Sequence, residues 1–380
     1  MMPAMPAMSP TRGTLVVVNS TGRQTSSVIR VASAIGYKVR AQLRSATRGP
    51  KVALAQELGA LQNVELVEGS LTDPNIVNNL FKGADVAFIN TTFWGDEVAI
   101  GTALARAAKE AGIKHYIYSS LTDHKKCWGN HLPHLPYWAT KHQVEEYIRS
   151  ELLKDMPTTF VYAGIYNNNF STFHHLPLWE LQLADEKAGG GFVWTAPFDE
   201  DYKMPFLDAE HDTGPAVIQI LKDGPSKWNG SRIPLAFEYL SPREIAATFS
   251  RALSRPFTYK KAPIEIKAKL PDGYLTQVLA IAELFGTHRA EYFPPGMTVP
   301  GPARKIWRGW RGLEEYAREV FPIEEAYNGR TWMHADEDDE DIMDDDEVGE
   351  GFDDEEIAGS PDNTVVGEED SAIYLSDSKP

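Results

Sequence analysis

The first strongly patterned stretch of the chain changes its hydrophobic period across a short polar turn. Residues 15–18 form a continuous apolar run, which is typical of a strand buried on both faces of a sheet. After the turn the apolar residues recur at the spacing of one helical face, and Gly36 follows where a helix would end. Residues 38–43 are predicted to form a second strand. The pattern therefore predicts the opening of a βαβ unit.

The same alternation of strands and helices continues as far as residue 163. Helical patterns separate the strand patterns at regular spacing, so the crossovers predict a parallel sheet with helices on both faces. Six strands in this arrangement predict an α/β fold with a Rossmann-type, doubly wound parallel sheet. The further strands are predicted at 64–67, 85–90, 115–119 and 158–163, and the intervening helices at 51–61, 74–81, 97–111 and 137–153.

After residue 163 the alternation ends, and the pattern predicts a smaller C-terminal α/β lobe. Residues 166–170 predict a polar loop, and the glycines at 189–191 predict a hinge. Two amphipathic patterns predict helices, one beginning after the cap residue Ser241 and one at 311–321. A helix at 211–221 and a strand at 232–239 are predicted as elements that could rejoin the main sheet.

The chain is accordingly divided into four parts. These are a disordered leader at 1–13, a Rossmann domain at 14–164 that is completed by parts of 206–239, a smaller lobe at 165–333 and an acidic disordered tail at 334–380.

The net charge of −17 comes almost entirely from the end of the chain. Residues 335–380 contain 20 acidic residues and one lysine, whereas the rest contains 36 basic and 34 acidic residues. The acidic run has few aromatic residues, so it cannot form a packed core and is predicted to be disordered. The remainder is close to neutral, and direct binding to nucleic acid is not expected.

Cysteine content and hydropathy bear on the compartment. Cys127 is the single cysteine, so no internal disulfide can form and a reducing compartment is expected. The leader has neither the charged nor the apolar region of a signal peptide. No apolar stretch approaches the ~20 residues that span a bilayer. We therefore expect no membrane association and a location in the cytoplasm or nucleus.

The turn after the first predicted strand is the candidate dinucleotide site. In such a turn the backbone N–H groups at the start of the helix face a pyrophosphate. The glycine spacing of this motif falls at positions 19, 22 and 25, but only Gly22 is a glycine. Asn19 tolerates left-handed backbone geometry, whereas Thr25 adds a Cβ where the helix normally packs closely on the strand. An ordinary βα turn without a ligand is the alternative.

Polar residues also follow the second and fourth predicted strands. An acid after the second strand binds a ribose 2′-hydroxyl, and an arginine accommodates a 2′-phosphate. Here Arg44 and Ser45 follow the strand and no acid is present, which favours tolerance of NADP. The alternative is a solvated surface arginine. The fourth strand ends in residues 90–92, whose polar groups lie at the sheet edge where ligands of open α/β folds bind.

Ser120, Tyr137 and Lys141 form a candidate catalytic set. Tyr137 and Lys141 are one helical turn apart, so the lysine is expected to lower the pKa of the phenol. A serine after the fifth strand can hydrogen-bond a substrate carbonyl. The short-chain dehydrogenase/reductase superfamily uses this set, although the lysine could instead serve only to hold the nicotinamide ribose. The loop histidines lack a ligand set at metal spacing, so no metal site is predicted.

Several segments together resemble the NmrA-like family over about residues 14–333. The resemblance covers both predicted domains and stops at the acidic tail. Runs of this length are highly specific. The segments lie at 17–24, 88–92, 115–120, 161–170, 207–212, 227–230 and 314–325.

The resemblance implies a Rossmann domain with a smaller C-terminal lobe, related to extended short-chain dehydrogenases but not known for turnover. It implies binding of NAD or NADP, with the oxidised forms favoured. It also implies negative transcriptional regulation in nitrogen metabolite repression, through contact with a GATA-type zinc-finger activator. By position, dinucleotide contacts are expected at Asn19, Ser20, Thr21, Gly22, Arg23, Gln24, Arg44, Ser45, Asn90, Thr91, Thr92, Lys141, Tyr166, Asn167, Asn168 and Asn169.

One departure from the family keeps an enzymatic function open. The best-known member lacks a tyrosine before the lysine, whereas this chain has Tyr137. The favoured hypothesis is a regulator that binds NAD(P) without consuming it, in the nucleus and cytoplasm. The alternatives are an active atypical NAD(P)-dependent reductase that uses Ser120, Tyr137 and Lys141, and a scaffold that has lost its ligand.

Overall fold

The computed structural model describes residues 12–49, 51–93, 95–172, 177–184, 191–266 and 272–327, and every structural feature below belongs to them. The acidic tail, most of the leader and the first two glycines of the predicted hinge lie outside the described residues. The predictions made for those segments and for the domain boundaries therefore stay predictions.

The described chain contains strands and helices in close alternation. The strands are β1 Thr14–Val17, β2 Lys38–Leu43, β3 Val64–Glu68, β4 Val86–Ile89, β5 His115–Ser120, β6 Thr158–Ala163, β7 Ile165–Tyr166, β8 Leu181–Leu183, β9 Phe192–Ala196, β10 Met204–Leu207, β11 Arg232–Leu235, β12 Glu238–Leu240 and β13 Phe257–Lys261. The helices are α1 Arg23–Ala34, α2 Val52–Gly59, α3 Pro74–Phe81, α4 Glu97–Glu110, α5 His124–Trp128, α6 Pro136–Tyr147, α7 Asn169–Thr172, α8 Ala209–Asp223, α9 Pro225–Trp228, α10 Pro242–Leu253, α11 Asp272–Ile281, α12 Gly301–Ile306, α13 Leu313–Glu319 and α14 Phe321–Tyr327.

A parallel sheet of seven strands forms the centre of the fold, in the order β11-β6-β5-β4-β1-β2-β3. Successive side chains of each strand point to opposite faces. Leu15 and Val17 accordingly pack with α1 and α8 on one face, while Val16 packs with α3, α4 and α6 on the other. Because both faces are covered, the central strand β4 is apolar throughout and β1 is apolar after Thr14.

The predicted fold class is confirmed, and each of the six predicted strands lies within one residue of its predicted bounds. The strand predicted at 232–239 rejoins the main sheet, as expected, over residues 232–235, but its continuation to 239 as one strand is wrong. β11 extends the main sheet beside β6, whereas β12 pairs antiparallel with β10 in a second sheet. The chain changes sheets at Phe237, whose backbone N–H donates to the Phe206 carbonyl at 2.8 Å.

Two sheets of three strands each belong to the smaller lobe, in the orders β12-β10-β7 and β13-β9-β8. The polar loop predicted at 166–170 is wrong, because this segment contains the end of β7 and the start of α7. Asn167 and Asn168 are buried. The Asn167 backbone N–H donates to the Leu207 carbonyl at 2.9 Å, which fastens the segment to β10.

Two predicted helices end differently from their patterns. The helix predicted at 137–153 is α-helical only as far as Tyr147 and continues as a π-helical turn at Ile148–Leu152. Of the helix predicted at 311–321, residues 313–319 form α13, and a second helix, α14, begins at Phe321. The predicted cap of α10 is confirmed, because Ser241 and Glu244 form a reciprocal capping box.

No helix in the part of the chain that the structure describes is both long and apolar enough to cross a membrane.

Candidate functional site

Asn19 lies in the turn after β1 and contacts residues at the ends of β2 and β4. Its φ of 53° is left-handed, which confirms the predicted role of an asparagine at this position. The Asn19 side-chain amide donates to the Asn90 carbonyl at 2.8 Å, and its backbone N–H donates to Gln42 Oε1 at 3.1 Å. The Ser20 N–H donates to the Gln42 carbonyl at 2.9 Å. The turn is therefore held against the carboxyl ends of β2 and β4.

The start of α1 carries no side-chain cap among the described residues. Gly22 is the N-cap residue, no side chain accepts from the first turn, and that turn contains no acid. The N–H groups of an uncapped first turn and the positive end of the helix dipole together favour an anion at this position. Thr21 is half-buried beside it. This is the arrangement that a pyrophosphate requires.

Thr25 does not obstruct the turn, although its Cβ departs from the glycine motif. Its hydroxyl lies 2.7 Å from the Asn19 carbonyl and 2.9 Å from the Gly22 carbonyl, so it closes the turn from within. The close approach occurs instead between α1 and α8. A Cβ added to Gly214 would overlap the Ser27 carbonyl oxygen. The sequence did not reveal this contact, because the two residues are far apart along the chain.

Arg23 and Gln24 point in different directions. Arg23 Nη1 lies 2.5 Å from Glu210 Oε1 and 3.3 Å from Glu324 Oε1. The Gln24 side chain is buried, donating to the Tyr166 hydroxyl at 2.6 Å and accepting from Ser119 Oγ at 3.1 Å. Gln24 thus joins the turn to β5 and β7, while Arg23 joins it to α8 and α14.

Glu324 was not predicted as a site residue, yet it touches the site from α14. Its Oε1 accepts from Asn168 Nδ2 at 2.6 Å as well as facing Arg23, and its Oε2 accepts from the Tyr316 hydroxyl at 2.6 Å. Its only signal in the sequence was its position inside the last family-like segment. The carboxylate lies beside the start of α1, where a phosphate would be repelled by it.

A cluster of cationic side chains lies beyond β2. Arg44 is exposed immediately after the strand, and Ser45 Oγ accepts from the Thr47 N–H at 3.3 Å. Partial desolvation lowers the pKa of Lys51, and repulsion from Arg23 and Arg44 lowers it further. Attraction to Glu210 opposes this lowering, so charges of both signs act on Lys51. Lys51 was missed in the sequence because it precedes α2, outside the expected strand-end position.

The segment after β7 holds a buried amide whose polar atoms are not satisfied by the described chain. Asn167 is 1% exposed, and neither its Nδ2 nor its Oδ1 has a hydrogen-bond partner among the described residues. Buried amides in proteins are normally hydrogen-bonded, to the chain, to water or to a ligand. Asn169 follows at the start of α7 and is half-buried. This segment therefore fits the polar end of a bound molecule.

Lys141 lies at the end of β4. Its Nζ donates to the Thr91 carbonyl and lies 3.2 Å from Thr91 Oγ1 and 3.5 Å from Asn90 Oδ1. Thr92 is exposed next to this group. The strand-end residues and the lysine are thus brought together, 50 residues apart in sequence.

An acid that the sequence did not single out completes this group. Glu97, at the start of α4, places Oε1 2.8 Å from Lys141 Nζ. Its side chain is 1% exposed, so the ion pair is buried. Thr91 Oγ1 donates to Oε1 at 2.6 Å, and the Thr140 hydroxyl donates to Oε2. The Lys141 charge is therefore balanced within the protein.

The three candidate catalytic residues belong to different side-chain groups. Ser120 is buried, and its hydroxyl has no hydrogen-bond partner among the described residues. The nearby Glu145 carboxylate binds Arg149 and Arg232. Tyr137 stacks on Phe93 with ring centroids 4.0 Å apart. Lys141 is paired with Glu97.

The predicted lowering of the Tyr137 pKa is wrong. Burial raises the pKa of Tyr137. Its hydroxyl lies against α11, where a Cβ added to Gly273 would be 2.6 Å from it. The Lys141 charge, already compensated by Glu97, does not activate the phenol.

Sequence comparison identifies the family of this architecture. The model of the NmrA-like family matches residues 11–317. The nitrogen metabolite repression protein nmrA of Emericella nidulans is 49% identical over 366 residues, covering 86% of this chain and 100% of that protein. The nitrogen metabolite repression protein nmr of Neurospora crassa is 44% identical over 368 residues, covering 87% of this chain and 73% of that protein.

Solved structures give the same match. A crystal structure of NmrA, described as a negative transcriptional regulator in complex with NAD, has a TM-score of 0.78 and 51% identity, covering 85% of this chain and 100% of that one. Its complex with NADP has a TM-score of 0.77 at the same identity and coverage. More distant relatives include oxidoreductases, among them the NAD(P)H azoreductase of Xenophilus azovorans at 29% identity over 66% of this chain and 78% of that enzyme.

Proposed function

This chain belongs to the NmrA-like family, and on that premise we propose that it is a negative transcriptional regulator in nitrogen metabolite repression. In this proposal it binds NAD or NADP without turning the dinucleotide over. It restrains a GATA-type zinc-finger activator by direct contact. The observation that carries the proposal is the uncapped start of α1, held against the polar strand ends by Asn19.

The described residues fit a dinucleotide along the whole strand-end edge. The start of α1 would hold the pyrophosphate, and Arg44 with Lys51 would face a 2′-phosphate. Asn90, Thr91 and Lys141 would hold the nicotinamide ribose, and the buried amide of Asn167 suits the nicotinamide end. NmrA structures with NAD and with NADP support a site that accepts both.

Absence of turnover is supported by the arrangement of the acid–base groups. A bound nicotinamide supplies a hydride acceptor or donor, and a reductase needs a proton donor beside the substrate carbonyl. Burial raises the pKa of Tyr137 and so makes its hydroxyl a weaker proton donor, its ring is stacked on Phe93, and Lys141 is paired with Glu97. Ser120 is buried in a different group. The binding residues are thus present without an assembled proton relay.

Calorimetric titration with NAD, NADH, NADP and NADPH tests the ligand half of this proposal. We expect binding, with the oxidised forms tighter. Absence of binding to all four would leave only the scaffold function. The reductase alternative predicts steady NADPH oxidation with carbonyl compounds that Tyr137→Phe abolishes.

The partner half of the proposal starts from charge. The DNA-facing surface of a zinc finger is basic, and residues 335–380 carry 20 acidic residues against one lysine. Such attraction raises the association rate and is screened over about 8 Å in physiological salt. We place the complex in the nucleus, with the free protein in both nucleus and cytoplasm.

Deleting residues 335–380 tests the partner half. Binding of the zinc-finger activator should weaken several-fold at low salt and little at high salt, whereas dinucleotide affinity stays unchanged. A pull-down at two salt concentrations, with and without NADP, measures both. Equal capture at low salt by the full-length and shortened proteins would assign the partner contact to the residues before 335.

A further inference from the structure

Glu97 is a buried carboxylate whose contacts all lie at the nicotinamide end of the candidate site. It accepts hydrogen bonds from Thr91 and Thr140 and forms an ion pair with Lys141. The helix does not need it as a cap, because Asp96 accepts from the Ala99 N–H at 2.9 Å and caps α4. Glu97 is therefore not required to cap α4 and is available for another role.

The pair of Glu97 and Lys141 has no net charge. A single uncompensated ammonium at this depth would be felt strongly by any charged group nearby, because the low dielectric of the interior weakens screening. The ring of an oxidised nicotinamide carries a positive charge, and the ring of a reduced one is neutral. A lone Lys141 would thus repel the oxidised ring and leave the reduced ring unaffected.

We propose that Glu97 allows this protein to bind the oxidised dinucleotides, by cancelling the charge of Lys141 beside the nicotinamide. The inference rests on the proposed function, since it requires a dinucleotide with its nicotinamide ribose at Lys141. The carboxylate removes the penalty against NAD and NADP in their oxidised forms. The Glu97 carboxylate also pairs with the Lys141 ammonium, which in a reductase would act beside the catalytic tyrosine.

Three variants separate this role from a purely structural one. Glu97→Gln keeps the shape and the acceptor oxygen for Thr91 but leaves Lys141 uncompensated. Lys141→Met leaves the carboxylate uncompensated. The double variant is neutral again. Glu110→Gln is the matched control, because it makes the same change at the exposed far end of α4, about 20 Å away at 1.5 Å per residue.

Calorimetric titration with NADP and NADPH gives the ratio of the two affinities for each protein. We expect Glu97→Gln to shift the ratio about tenfold toward NADPH and Lys141→Met to shift it toward NADP. The double variant and Glu110→Gln should return the ratio of the unaltered protein. Circular dichroism establishes that each variant is folded, and either single variant suffices if the other does not fold.

The outcomes are distinct. A role in folding alone would change both affinities together, so an unchanged ratio in a folded single variant that still binds overturns the inference. A shift of the two single variants in the same direction also overturns it. If the unaltered protein binds neither dinucleotide, the proposed function itself fails. Opposite shifts that cancel in the double variant support the charge mechanism.

Discussion

The two ends of the candidate site, at the start of α1 and at the end of β4, differ in how their charges are compensated. At the start of α1 the positive end of the helix is left without a cap or a first-turn acid, and the nearby carboxylates of Glu210 and Glu324 are paired with Arg23. At the end of β4 the charged side chains are matched to each other, with Lys141 held by Glu97. An open positive end favours capture of phosphates, and a neutralised end disfavours proton transfer. In the proposed function, this contrast separates dinucleotide binding from proton transfer.

The largest expected effect on dinucleotide affinity comes from a substitution that obstructs the start of α1. Gly22→Val places a branched side chain where the pyrophosphate must approach the backbone, so dinucleotide affinity should fall at least about 100-fold, or about 2.7 kcal/mol. The φ of Gly22 is −76°, which any residue adopts, but an added Cβ would lie 3.0 Å from Thr25 Oγ1 and 3.3 Å from the Asn19 carbonyl oxygen, so the turn must shift by a few tenths of an ångström. Circular dichroism establishes that the variant is folded. Titration calorimetry measures the loss.

The same substitution at Gly301 is the control for this variant. A Cβ added there meets no atom within 4 Å, and the position begins α12. Unchanged affinity in a folded Gly22→Val protein would move the ligand away from this turn.

Arg44→Asp sharpens the comparison within the open end. The change replaces attraction to a 2′-phosphate with repulsion, and preference should move from NADP toward NAD by about tenfold. Competition between the two dinucleotides measures the preference. Arg12→Asp is the control, because Arg12 precedes β1 and lies at the opposite edge of the sheet. Retained NADP preference would make Arg44 a solvated surface charge.

A smaller effect is expected from Glu324→Gln. Removing the carboxylate beside the start of α1 lessens repulsion of phosphate and releases one partner of Arg23, so dinucleotide affinity, measured by the same calorimetric titration, should rise by about two- to fivefold. Glu315→Gln, on the exposed side of α13, is the control. Weaker binding in the Glu324→Gln variant would instead assign Glu324 to holding the site together.

The smallest expected effect on dinucleotide binding comes from a substitution near the end of β4, where charges are compensated. Tyr137→Phe keeps the ring that stacks on Phe93 and removes a hydroxyl whose pKa burial raises, so binding of all four dinucleotides should change less than about twofold. NADPH consumption with a panel of carbonyl compounds should be absent before and after the change. Consumption that the substitution removes would restore the reductase function.

Local patterns in the sequence predicted the open end well. The apolar run, the turn and the helix period are short-range features, and Asn19 is one of few residues that adopt a left-handed turn at little cost. The same reasoning located the ends of β2 and β4. Their convergence follows from the parallel sheet, in which all carboxyl ends share one edge.

The neutralised end could not be predicted from the same patterns. The pairing of Glu97 with Lys141 joins residues 44 apart, and helical periodicity alone assigns no partner to an acid at the start of a helix. The burial of Asn167 and the division of residues 232–239 between two sheets likewise depend on β10, which is distant in sequence. Local polarity predicted a loop where tertiary contacts bury the segment.

The contacts of Glu324 have a thermodynamic consequence. One carboxylate fastens α14 to Arg23, Asn168 and Tyr316, so the docking of this helix and the occupancy of the phosphate end share a residue. Linkage between two such equilibria is reciprocal. If a bound dinucleotide changes the equilibrium constant for docking of α14 by some factor, docking of α14 changes the association constant of the dinucleotide by the same factor. The affinity of a protein that binds α14 would therefore depend on whether the dinucleotide site is occupied, without any contact to the dinucleotide itself.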